Sequence, residues 1–153
     1  MKSDGSLVLL KEPVVLEKPV VLWLSRHKPL PIQLDELKKK LGFFKLVHWD
    51  RQVSTAERAV EIAEKFGAKI IVAVLPLSFI QRLIEETKKR GITLLKAEME
   101  LLHICDRNPC PIFDPYMDAI EPTRREDGKV IYRHFRFKRF VRRVAIEEIV
   151  EPW

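Results

Sequence analysis

Hydrophobic positions along the first two thirds of the chain alternate between helical spacing and short continuous runs. Apolar residues at helical spacing predict three amphipathic helices, over 31–41, 54–66 and 78–90. Each helix is followed by a glycine suited to a left-handed helix stop, namely Gly42, Gly67 and Gly91. The runs between them are rich in β-branched residues and predict strands over 20–25, 45–49, 69–75 and 92–95.

The apolar runs indicate how these strands are arranged. Segments 20–24 and 70–74 are apolar on both faces, which is typical of parallel strands covered by helices on both sides. Strict alternation of strands and helices favours right-handed crossovers. The sequence therefore predicts an α/β fold, a single Rossmann-like or flavodoxin-like three-layer domain with a mostly parallel sheet, and a C-terminal strand extension.

The two ends of the chain are less regular, and we treat 1–153 as one domain. Pro13 and Pro19 interrupt a strand-like stretch, so 1–19 is predicted to be an arm or edge strand ahead of the core at 20–104. Several prolines predict an irregular connection over 105–128. The basic segment 129–153 is predicted to form a bulged strand and a second strand over 144–150, with a helix from Phe137 as the open alternative.

Composition indicates the broad class to which the protein belongs. The chain is 46% hydrophobic and 33% charged, which excludes a disordered chain. We find no apolar run of membrane-spanning length and no secretion signal, so we expect a soluble cytoplasmic protein with no membrane association. Only four residues are Asn or Gln, which is typical of a thermophile.

Polar residues that follow the first three strands form the first candidate site. In a parallel sheet, ligands bind beyond the carboxyl ends of the strands. Here His48 and Asp50 share a predicted face, so Asp50 could orient His48 as a general base, with His27 as a second acid or base. Phosphate would be bound by two arginines and by two serines read as helix caps, namely Arg26, Arg51, Ser54 and Ser78. The alternative is plain capping and surface ion pairs.

The same turn carries one resemblance. Ser25-Arg26-His27 after the opening strand, with Gln33 on the following helix, is similar to small Rossmann-like proteins of archaeal defence systems that bind cyclic oligonucleotides. The similarity covers a short stretch of the chain and implies a Rossmann-like fold. No catalytic role is carried over from it, and no family membership is claimed.

A second candidate cluster contains His103, Cys105, Cys110 and Asp114. Zinc sites usually show paired Cys or His ligands at short spacing, and this segment offers no second pair. We therefore expect no metal and no cofactor, and leave open a disulfide or two free thiols for the cysteines.

The third candidate is the basic tail. Residues 129–143 hold seven basic and no acidic side chains, interleaved with aromatic residues, a composition typical of nucleic-acid binding. The residues expected to contact nucleic acid are Arg133, Arg136, Lys138, Arg139, Arg142 and Arg143. The alternative is an ordinary half-buried strand with phenylalanines facing the core.

These patterns lead to two main functional hypotheses and a third, a metal-dependent enzyme that uses His103, Cys105, Cys110 or Asp114. The chain contains no GxGxxG, P-loop, GxSxG or HExxH motif, which disfavours the common cofactor and hydrolase classes. The first hypothesis is a protein that binds a phosphate-bearing ligand, either nucleic acid or nucleotide, and whose reaction, if it has one, is hydrolytic. The alternative is a non-enzymatic interaction subunit or a homodimer that uses the C-terminal segment as its interface.

Overall fold

The computed structural model describes residues 18–108 and 110–153, which form six strands and three helices. The first half alternates strand and helix: β1 Val20–Leu24, α1 Pro31–Leu41, β2 Lys45–Trp49, α2 Ala56–Lys65, β3 Ile70–Ala73 and α3 Leu77–Lys89. The second half contains strands alone: β4 Thr93–Cys105, β5 Asp118–Arg124 and β6 Val130–Arg142. Residues 1–17 of the predicted arm at 1–19 lie outside the described residues.

The six strands form one mixed sheet in the order β2-β1-β3-β4-β6-β5. The first four strands are parallel to one another. β6 is antiparallel to both β4 and β5, and these two ladders are longer than the parallel ones. The sheet curls into a half-barrel.

Helices cover both faces of the parallel strands. α2 and α3 pack on one face, where Leu22, Ile71 and Leu94 are buried against them. α1 packs on the other face through Leu37, against Val21 and its neighbours. Strands with apolar side chains on both faces are thus buried between helices, as their sequence predicts.

The prediction of a mostly parallel, three-layer Rossmann-like or flavodoxin-like domain is wrong. The four strands at 20–95 were identified correctly, but the fourth continues to Cys105 and pairs with an antiparallel hairpin. The segment from Lys96 to Leu101 alternates polar and apolar residues, which is the signal of this half-buried extension. The antiparallel half therefore gives the sheet its mixed, curled form.

Local predictions in the second half also need correction. The predicted irregular connection at 105–128 contains β5, and residues 144–150 form neither the expected strand nor a helix. The alternative helix from Phe137 is also wrong, because β6 extends to Arg142. In the first half, α2 is capped by Thr55, whose hydroxyl accepts a hydrogen bond from the Arg58 backbone, and not by Ser54.

Because helices cover both faces of β1, we expect the stability of the fold to depend strongly on the buried side chains of this strand. Leu22 is completely buried, so we expect Leu22→Ala to lower the free energy of unfolding by about 2–5 kcal/mol through lost packing and a cavity. Leu101→Ala on β4 is the control, because that side chain is 47% exposed and its loss should cost about 0.5 kcal/mol. Urea unfolding measures both values, and equal losses would contradict this description of the core.

Candidate metal centre

A β-bulge in β4 brings two histidines from distant parts of the chain face to face. The register is Leu101 opposite Phe135 and then His103 opposite His134, so Leu102 is the extra residue. Without this shift, His103 would lie opposite Arg133. Bulges commonly re-aim a side chain in this way. Here the bulge sets His103 beside His134, with the two ring centroids 5.0 Å apart.

Two cysteines complete the cluster. Cys105 lies two residues beyond His103 on the same strand, and Cys110 lies in the connection that follows. One metal-ligating atom from each of His103, Cys105 and Cys110 lies within 4.8 Å of the others. His103 Nε2 lies 3.2 Å from Cys110 Sγ, 3.8 Å from Cys105 Sγ and 3.1 Å from His134 Nδ1.

These separations fit a tetrahedral zinc-class ion. Zinc binds His nitrogen at about 2.0–2.1 Å and Cys sulfur at about 2.3 Å, which places neighbouring ligand atoms about 3.3–3.8 Å apart. The three distances from His103 Nε2 are 3.1, 3.2 and 3.8 Å. Ligand atoms of His103, Cys105 and Cys110 thus already lie within 4.8 Å of one another, and His134 Nδ1 joins this group through His103 Nε2, 3.1 Å away.

A buried carboxylate fixes the orientation of His134. Asp118 Oδ2 lies 2.7 Å from His134 Nε2, and both side chains are completely buried. Since an ionised carboxylate only accepts hydrogen bonds, Nε2 carries the proton and donates it. Nδ1 is then the atom that faces His103 and can offer a lone pair to a metal. Carboxylate–histidine pairs of this kind commonly support metal sites.

Asp118 is held in turn by a full set of donors. Arg136 donates from Nε to Oδ1 at 2.7 Å and from its terminal nitrogen to Oδ2 at 2.9 Å, a two-pronged ion pair. The backbone N–H of Asp114 donates a further bond at 2.9 Å. The β5–β6 register explains the geometry, because Asp118 lies directly opposite Arg136 and diagonal to His134. Arg136 holds the pKa of Asp118 far below its usual range, although burial acts in the opposite direction.

The contacts within the cluster shift the pKa values of its members in different directions. Burial lowers the pKa of His134, but its hydrogen bonds with Asp118 and Cys110 offset this and raise the pKa above its ordinary value. Burial raises the pKa of Cys110, yet contacts with Cys105, the Ile112 backbone and His134 bring it below its ordinary value. The hydrogen bond with Cys110 raises the pKa of Cys105 to about 11. Cys110 is therefore the thiol that ionises first.

The cluster is accessible from the surface. A cavity of about 470 Å³ is lined by His103, Cys105, Cys110 and their neighbours in the connection. Cys110 is buried while Cys105 is partly exposed, and both are free thiols. An ion can therefore reach the cysteine side of the cluster, while Asp118 and His134 remain sealed behind it.

Spacing along one segment identifies three of these four groups, His103, Cys105 and Cys110, and leads to the expectation of no metal. The fourth group, His134, comes from β6. Neither His134 nor Asp118 is among the site residues that the sequence predicts. The sequence signal for this cluster is the His103-x-Cys105 segment on one strand together with His134 on the strand that pairs with it. Asp114, the other residue named, does not ligate here; it accepts from the backbone N–H of Tyr116 and forms part of the turn before β5.

The residues predicted at the strand ends are only partly brought together. A cavity of about 620 Å³ is lined by Arg26, His27, Asp50, Arg51 and Ser54, among others. His48 does not line it, because its Nε2 is held 2.8 Å from the Ser25 carbonyl oxygen. Among residues 18–108 and 110–153, no hydrogen bond joins His48 to Asp50. Ser78 is the second residue of α3 and lies in a separate groove, so it is not a cap.

The prediction that the basic tail binds nucleic acid must be corrected. Within residues 18–108 and 110–153, no observation supports nucleic-acid binding by this segment. Three basic side chains of β6 face acids within the sheet: Arg136 pairs with Asp118, Lys138 with Glu100 and Arg139 with Glu98. Arg143 is partly buried and burial lowers its pKa, while Arg133 and Arg142 remain exposed. The aromatic residues between them belong to the sheet, and Phe137 and Phe140 pack together.

Comparisons with known proteins add no identity. No family model, no curated protein and no solved structure matches the chain. Among the described residues, no helix has the length and apolar character needed to cross a membrane.

The buried Asp118 network predicts a stability loss with a defined pH dependence. We expect Asp118→Asn to lower the free energy of unfolding by about 3–5 kcal/mol at pH 7, because it leaves His134 and Arg136 without their carboxylate. The folded pKa of Asp118 is depressed, so its stabilisation is complete above the unfolded pKa of about 3.9. It is lost progressively as the pH falls from there toward the folded pKa.

Urea unfolding at pH 7 and pH 3 measures this effect. The difference between wild type and Asp118→Asn should be smaller at pH 3. Asp127→Asn is the matched control, since Asp127 is exposed in the β5–β6 turn and its loss should cost about 0.5 kcal/mol. Equal losses in the two variants, or a difference that grows at pH 3, would contradict the assignment.

Proposed function

We propose that this chain is a metal-binding protein that holds one zinc-class ion through His103, Cys105, Cys110 and His134. The observation that carries the proposal is the convergence of two imidazoles and two thiols from β4, the following connection and β6. The separations from His103 Nε2 to the other three ligand atoms, 3.1, 3.2 and 3.8 Å, are close to those of a tetrahedral site. A buried carboxylate behind His134 supplies the support that such sites usually have.

The ligand set selects the class of ion. Thiolate and imidazole ligands suit zinc and related transition metals, whereas Mg²⁺ and Ca²⁺ prefer oxygen ligands. Binding releases protons from the thiols, while the hydrogen bond to Asp118 keeps the His134 proton on Nε2, away from the metal-facing Nδ1. The apparent affinity should therefore fall at acidic pH.

Four protein ligands favour a structural role for the ion. Catalytic zinc sites usually keep one position for water or substrate, and this set fills all four. The ion would join β4 to β6 at the end of the sheet remote from α2 and α3. In this position it stabilises the antiparallel half and fixes the connection that carries Cys110.

Metal content and metal spectra test the proposal. We expect one zinc ion per purified chain, measured by plasma mass spectrometry. We also expect that cobalt substitution gives a thiolate charge-transfer band and tetrahedral d–d absorption. Cys110→Ser and His134→Gln should each remove most of the bound metal, whereas His48→Gln should not, because His48 is held at the other end of the sheet.

Two results would overturn the proposal. One is a reduced protein that binds neither zinc nor cobalt on refolding. The other is full metal affinity in the His134→Gln variant, which would reduce the site to three ligands. Thiol titration of the freshly purified protein distinguishes the metal-binding thiols from a Cys105–Cys110 disulfide. The disulfide would give no free thiols and no cobalt–thiolate spectrum.

A second candidate function is the binding of a phosphate-bearing small molecule at the carboxyl ends of β1, β2 and β3. The observation in its favour is the cavity of about 620 Å³ that gathers Arg26, His27, Arg51 and Ser54. Arg51 is already positioned by packing over the Trp49 ring, 5.4 Å from its centroid. Asp50 lines the same cavity, so it would favour a ligand that also offers a hydrogen-bond donor.

Pyrophosphate titration at low ionic strength tests this second function. We expect the double variant Arg26→Ala/Arg51→Ala to bind at least about tenfold more weakly, because two charge-assisted hydrogen bonds are lost. Arg58→Ala is the control, since Arg58 pairs with Glu61 on the outer surface of α2. Unchanged affinity in the double variant, or no binding by the wild type, would exclude the site.

A further inference from the structure

A third cavity lies between α1 and the half-barrel strands, separate from the metal cluster. Its volume is about 430 Å³, within the range of small-molecule sites. Its apolar lining comes from β1, β4, β5 and β6: Trp23, Ala97, Met99, Ala119, Ile120 and Phe135. Two aromatic rings and a flexible thioether are walls that suit a flat apolar body.

Among residues 18–108 and 110–153, one polar side chain in this lining has no strong hydrogen-bond partner for its N–H donors. Gln33 is 96% buried in α1, since only 4% of it is exposed. Its carbonyl oxygen accepts the Leu30 backbone N–H at 2.7 Å, which fixes the orientation of the amide. Within the described part of the chain, the hydrogen-bond partner of its Nε2 is the sulfur of Met99, at 3.7 Å.

A thioether is a weak acceptor, and an amide nitrogen carries two N–H donors. Burying such a donor without an oxygen or nitrogen acceptor costs about 1–3 kcal/mol. Trp23, by contrast, is satisfied, because its indole N–H donates to the His27 carbonyl oxygen at 3.0 Å. Trp23 therefore presents ring surface to the cavity, and Gln33 presents hydrogen-bond donors.

We propose that this cavity binds a flat, ring-containing small molecule whose carbonyl-type oxygen accepts a hydrogen bond from Gln33 Nε2. The apolar body lies against Trp23 and Phe135. Ser25, His27, Lys28 and Glu121 form a polar rim where substituents of the ligand meet solvent. This cavity is separate from the metal centre. It borders the strand-end cavity at Ser25 and His27, and the two would be distinct binding sites.

A matched pair of probes tests the chemistry. Indole-3-carboxamide carries a flat body and a carbonyl oxygen, and indole carries the same body without the oxygen. In NMR titrations of the full chain, we expect indole-3-carboxamide to shift the Gln33 side-chain amide and the Trp23 indole resonances. It should bind about tenfold more tightly than indole, as expected for one hydrogen bond to an otherwise unpaired donor.

Two variants separate the hydrogen bond from the cavity. Gln33→Glu at pH 8 keeps an acceptor for Leu30 but removes the N–H donors, so it should abolish the preference for the carboxamide over indole. Ala119→Met fills the cavity and should abolish binding of both probes. Thr123→Met, on the same strand but outside the cavity lining, should bind both as wild type does. The Trp23 indole resonance reports whether each variant is folded.

The outcomes are distinct. Equal affinity of the two probes in the wild type would overturn the role of Gln33. Binding that survives Ala119→Met in a folded protein, or shifts confined to other residues, would overturn the cavity as the site. Displacement of the carboxamide by pyrophosphate would assign the probe to the strand-end cavity instead.

Discussion

The buried carboxylate of Asp118 is the constraint on which the C-terminal half of the structure depends. A lone buried charge is very costly, so Asp118 must be matched on every side. Arg136, His134 and the Asp114 backbone together provide that match. These contacts fix the register of β5 on β6, and they also select the His134 tautomer that can bind a metal. The same hydrogen-bonded network around Asp118 therefore supports both the sheet pairing and the candidate metal site.

The bulge at Leu102 brings β4 into contact with the Asp118 network on β5 and β6. It places His103, and with it Cys105, on the same side as His134. The cluster then unites residues 103, 105, 110 and 134, which no single stretch of sequence contains. The half-barrel is thus held by pairing along β4 and β6 and by polar contacts at one end, while the parallel half is held by apolar packing between helices.

How much the sequence predicts differs between the halves for a physical reason. Helix periodicity, glycine stops and doubly apolar strands are local signals, and they located β1 to β3 and all three helices. Strand pairing is non-local, and the antiparallel hairpin at 118–142 required a register that composition does not encode. The grouping of His134 with His103 and the cysteines is non-local in the same way, because His134 lies on β6 and its partners lie on β4 and in the connection that follows.

The central claim is that two thiolates and two imidazoles surround one ion. X-ray absorption at the zinc edge of the zinc-loaded protein measures this directly, because it reports the atoms bound to the metal and their distances. The account predicts two sulfur ligands at about 2.3 Å and two nitrogen ligands at about 2.0 Å. A shell of oxygen ligands alone, or a shell without sulfur, would contradict it.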